Sequence, residues 1–137
     1  MKKKSTPGLF DEDIRLIKLT EQGDPLIKLK SIVPWEIFRK DIKKVFDKEP
    51  KGPGGCPRYD VIMMFKILIL QRYYNLSDEK MEFQILDRLS FMRFLDLNIR
   101  DKVPDCNTIW IFKEALTKFG VYEKLFDKFS KELEKKI

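Results

Sequence analysis

The sequence predicts an all-α fold, a compact bundle of about six to seven helices that includes a helix-turn-helix-like unit and no sheet. Three observations predict it. Apolar residues recur at spacings of three and four along most of the chain. Capping residues stand just ahead of these runs, and Gly or Pro closes them. No stretch alternates apolar with polar residues as a half-buried strand requires. At 137 residues, 43% of them apolar, the chain falls within the range of one domain with its own core. The expected organisation is a basic tail over 1–10 and one helical unit over 11–137, comprising N-terminal helices over 11–47, a loop over 48–59 and core helices over 60–137.

The tail carries Lys2, Lys3 and Lys4 but no apolar run, because Asp11, Glu12 and Asp13 follow too soon for a signal peptide. Those acids suit the first turn of a helix over 11–22, where they meet the positive end of its dipole, and Gly23 stops it. Being consecutive on a helix, they point in different directions and do not converge on a metal. Pro25 fits a first helical position, and Pro34 separates PLIKLKSIV from WEIFRKDIKKVF. Trp35, Phe38, Ile42 and Val45 form one apolar stripe with Phe46 at its edge. Lys40, Lys43, Lys44 and Lys48 lie off that stripe. The segment 48–59 holds three Pro and three Gly and is expected to be a loop.

Residues 60–74 are apolar almost all round, as in a helix at the centre of a bundle, where each large side chain contributes roughly 1.5–3 kcal/mol by burial. The run 61–70 is too short to span a membrane and is interrupted by Lys66. Ser77 is the expected cap of the next helix, with Leu76 stapled against Met81, and Met81, Ile85 and Leu89 facing the core. A helical turn at SFMRFLDL follows, and then the polar link NIRDKVPD. Asp105 or Asn107 caps a helix with Ile109, Phe112, Leu116 and Phe119 on its buried face. Trp110 falls off that face and is expected to be half exposed. Gly120 ends this helix, and Tyr122, Leu125, Phe126, Phe129 and Leu133 define a last one.

Charge narrows the functional classes. The net charge is +6, and +5 of it resides in residues 25–58. Arg39, Lys40, Lys43, Lys44, Lys48, Lys51 and Arg58 are therefore the expected DNA-binding residues, with Lys2, Lys3 and Lys4 as a further phosphate-contacting arm. The segments 60–74 and 78–89, joined by Asn75-Leu76-Ser77, have the outline of a helix-turn-helix. The second carries Asp78, Glu79, Glu82 and Asp87 against Lys80 and Arg88, so packing in the bundle is preferred to insertion into a groove. Cys56 and Cys106, without any histidine, furnish no four-ligand zinc site, and they point to a reducing cytosolic compartment rather than a disulfide framework. No metal, cofactor or small-molecule substrate is expected.

In order, the chain shows DPLIKL, VPWEIFR, GGCPRYDVIMMFKILILQRYYNLSDEKMEFQILDRLSFMRFL and VPDCNTIWIFKEAL. This succession resembles the N-terminal region of transposases of insertion-sequence family five, from about Leu9 to Lys136. Where the family tends to a Gly-Arg-Pro-Pro turn, this chain has Gly55, Cys56, Pro57 and Arg58. The resemblance implies a prokaryotic, nucleoid-associated protein that binds the terminal inverted repeats of its element as double-stranded DNA. In such transposases a ribonuclease-H-like domain with an Asp, Asp, Glu triad follows this region. The chain stops at Ile137, before that domain would begin, so it is not expected to be an enzyme by itself. Two other roles are open: a regulatory fragment pairing with itself or with intact transposase through faces such as that of Trp110 or the last helix, and one half of a split transposase.

Overall fold

The structure, a computed structural model, describes residues 11–48 and 59–136. Its elements are α1 (Asp11–Glu21), α2 (Pro25–Ile32), a 3-10 turn (Trp35–Phe38), α3 (Arg39–Lys48), α4 (Val61–Tyr73), α5 (Asp78–Asp87), α6 (Leu89–Phe94), α7 (Cys106–Lys118) and α8 (Tyr122–Lys136). Among the described residues there is no strand. The described residues form the expected all-α fold, and its short pieces, α2 of eight residues and α6 of six, fall at PLIKLKSIV and within SFMRFLDL.

Local chemistry explains most boundaries. Asp24, Asp60, Ser77 and Asp105 each accept a hydrogen bond from a first-turn amide, of Leu26, Met63, Lys80 and Thr108 respectively. Gly23 and Gly120 follow α1 and α7 with φ of +89° and +70°, a left-handed conformation that glycine adopts without steric cost. Two boundaries differ from expectation. Trp35–Phe38 is a 3-10 turn rather than the start of α3: the Trp35 indole donates to the Lys30 carbonyl at 2.9 Å, which draws it back over α2, and the Ile37 amide bonds Pro34. The helix from Ser77 ends at Asp87, because Arg88 is extended, so Leu89 opens α6 and is only half-buried.

Helix α4 is the centre of the bundle, with every residue from Val61 to Gln71 buried. The 3-10 turn, α3, α5 and α7 pack around it, and α8 reaches it through rings. Phe65 is fully buried, with the Phe38 ring at 4.8 Å and the Phe126 ring at 5.6 Å. One continuous apolar cluster runs from Leu26 to Phe129, so α2 and α3 share a core with the later helices. Two polar side chains lie within it. Gln71 donates to Asp78, and Lys66 donates to the Phe94 carbonyl at 3.2 Å. Helix α1 is the exception, with no buried residue.

Candidate nucleic-acid interface

The basic helix α3 is oriented by its apolar stripe. Ile42 and Val45 are buried, and Phe46 stacks on Phe112 of α7 at 5.3 Å and 16°. With that side fixed, Lys40, Lys43, Lys44 and Lys48 are all exposed, as their positions off the stripe require. The acidic Asp41 of the same helix is neutralised from α8: Lys128 Nζ lies 3.1 Å from its carboxylate and also donates to the Ile37 carbonyl at 3.0 Å.

Arg39 takes a different part from the lysines. Its Nε and Nη2 donate to the two oxygens of Glu36, at 2.6 and 3.0 Å, and Nη1 donates to Asp60 at 2.6 Å. The second Asp60 oxygen caps α4 at the Met63 amide, 3.2 Å away. The hydrogen bond from Arg39 holds Glu36 below the usual carboxylate range. Burial opposes ionisation of Asp60, but Arg39 and the Met63 amide outweigh it, and its pKa too is lowered. Three of the five donors of this guanidinium are thus engaged, and it clips the start of α3 to the start of α4. Lys2, Lys3, Lys4, Lys51, Arg58 and Cys56 lie outside the described residues.

A further cation joins this surface from α7. Lys48 Nζ lies 5.9 Å from the centre of the Phe119 ring, and Lys118 Nζ lies 5.4 Å from the same ring. Both lysines occupy the last turn of their helices, where the dipole favours a positive charge. Sequence reasoning missed Lys118 because it is 70 positions from Lys48. The only local signal was a lysine next to an aromatic residue at a helix end.

The opposite sign dominates α5. Asp78 receives Lys113 at 2.8 Å as well as Gln71, and Glu82 receives the Cys106 amide at 2.6 Å. Burial works against ionisation of Asp78, but these donors prevail and lower its pKa. Glu79 and Asp87 are exposed. The helix presents acids to α7 and to solvent, a poor surface for a phosphate backbone.

Among the described residues, no group of three His, Cys, Asp or Glu is placed to hold a metal ion. None of their helices is long and apolar enough to cross a membrane. The family model described as Transposase domain (DUF772) matches residues 14–115. No solved structure matches the chain.

Proposed function

Because the chain belongs to this family of transposase domains, we propose that it is the DNA-binding module of a DDE-type transposase of insertion-sequence family five, holding the terminal inverted repeats of its element. The observation that carries this reading is the exposed row of Lys40, Lys43, Lys44 and Lys48 on a helix whose other side is locked into the core. Lys118 extends the row onto α7, and Lys2, Lys3, Lys4, Lys51 and Arg58 are proposed as further phosphate-contacting cations. Lysines on flexible stems act as point charges on phosphates, so this face supplies affinity and register more than base discrimination. Arg39 positions the helix, and α5 packs in the bundle. Strand cleavage is assigned to a ribonuclease-H-like domain with an Asp, Asp, Glu triad, as in the transposases that this chain resembles.

The test is titration of a duplex carrying the element's end sequence over a range of salt concentrations. About five phosphate contacts give a slope of log K against log salt near −4.5. Replacing Lys43 and Lys44 by Ala should flatten that slope by roughly 1.8 while leaving the helical content unchanged. A slope near zero for the unaltered chain, or an identical slope in the double variant, refutes the assignment.

A further inference from the structure

The lysine row of α3 contains an acid that works against it. Asp41 occupies the first turn of the helix, where a carboxylate suits the positive end of the dipole. On a surface that meets phosphate the same charge is unfavourable. Lys44 stands three residues further on, and residues at that spacing are neighbours on a helix, about 5–6 Å apart at Cβ. The acid is on the N-terminal side, the order that favours an ion pair within a helix. Such a pair would draw the Lys44 ammonium back along α3 and withdraw it from the row.

The structure gives Asp41 a different partner. Phe129 of α8 stacks on Trp35 at 5.9 Å and 25°, which brings α8 alongside the 3-10 turn. From the position before Phe129, Lys128 carries its ammonium over the Phe38 ring at 5.6 Å, donates to the Ile37 carbonyl at 3.0 Å and reaches the Asp41 carboxylate at 3.1 Å. On its own helix the acid one turn further on, Glu132, is held by Lys135 at 3.2 Å. The Lys128 and Asp41 side chains are 40% and 43% exposed, so the pair contributes little to stability as a surface salt bridge. Its effect is on Lys44, which is exposed and takes part in no ion pair among the described residues.

We propose that Lys128 is a positioning residue for phosphate contact: by holding Asp41 from α8, it leaves Lys44 extended towards the DNA backbone. This role rests on the reading of α3 as a DNA-contacting face and adds to it a residue on a different helix, 87 positions from the acid it controls. Asp47, the other acid of α3, is exposed and follows Lys44 by three residues, in the reverse and weaker order for an ion pair. It is the internal control, because Asp47→Asn should raise affinity equally with and without Lys128.

The experiment is a salt titration of the full chain on a duplex carrying the element's end sequence, with circular dichroism confirming the helical content of each variant. Lys128→Met, which keeps an apolar stem against Phe38, should flatten the slope of log K against log salt by about 0.9, the loss of one phosphate contact. Lys44→Met should do the same. Because both changes remove the Lys44 contact, the two together should again give about 0.9 rather than about 1.8. Adding Asp41→Asn to Lys128→Met should restore the slope of the unaltered chain. Additive losses without this rescue would mean that Lys128 itself touches phosphate, and overturn the proposal. A weakened Lys128→Met that Asp41→Asn does not restore, or a Lys128→Met with an unchanged slope, overturns it too, the first by assigning Lys128 to the Ile37 carbonyl alone. A slope near zero for the unaltered chain removes the DNA face itself, and with it the role of Lys128.

Discussion

Lys66 shows how much one residue depends on its surroundings. In the sequence it is only an interruption in an apolar run, but in the bundle it is 4% exposed, with its ammonium over the Trp35 and Phe94 rings at 5.0 and 5.5 Å. Burial lowers its pKa, and Asp96, 3.6 Å away, opposes this only in part. The sign of the linkage follows. Between the folded value and the ordinary 10.5, the unfolded chain holds more protons, so stability rises with pH across that window. Lys66→Met should abolish this rise. At neutral pH it should cost no more than about 1 kcal/mol in denaturant unfolding, because Asp96 is exposed and keeps Lys30 as a partner. A loss of about 3 kcal/mol would show that the buried ammonium is a net stabiliser.

Among the elements, α1 is tied to α6 through one arginine side chain. Arg93 of α6 donates to the Leu16 carbonyl at 3.1 Å, to Thr20 at 2.9 Å and to Asp24 at 2.6 Å, and Asp24 in turn caps α2. Since no residue of α1 is fully buried, Arg93→Met should leave its amides exchanging with solvent almost without protection, while α4 amides keep their slow exchange relative to the rest. The Asp24 carboxylate, 3% exposed in its side chain, would lose its cation, and the whole fold should lose about 3–5 kcal/mol. Loss of α1 protection without loss of global stability would show that Asp24 finds another donor. Elements were legible in the sequence where their causes are local. Asp105 caps α7 through an amide three residues on, and Gly120 ends it by its own backbone freedom. The exposed lysines of α3 were legible for the same reason, since the stripe that faces them inward or outward lies on the same helix. Arg39 was assigned to phosphate because Asp60, 21 residues away, was not visible as its partner. The 3-10 turn escaped because the Trp35 indole reaches back to α2.

At the scale of the molecule, stability rests on α4 and the rings around it. Phe65→Ala removes the side chain that touches Phe38, Phe126 and Phe129, and should cost about 3–5 kcal/mol in equilibrium unfolding. A cost below about 1 kcal/mol would mean that the core closes over the cavity. Acid should weaken the same core indirectly. Asp60 and Asp78 have folded pKa values below the ordinary 3.8, so their contribution is complete above that value and is lost as the pH falls through the folded ones. The clip between Arg39 and Asp60 has a consequence for how such a module diversifies. Arg39 and Asp60 fasten α3 and α4 to each other at their starts, so the two helices are held by a direct clip as well as by the chain that joins them. Lengthening that connection costs only the entropy of a longer closed loop, about 0.6 kcal/mol per doubling. An insertion between the two clipped helices should therefore cost little stability, so the length of chain next to the lysine row can change without a redesign of the bundle that carries it.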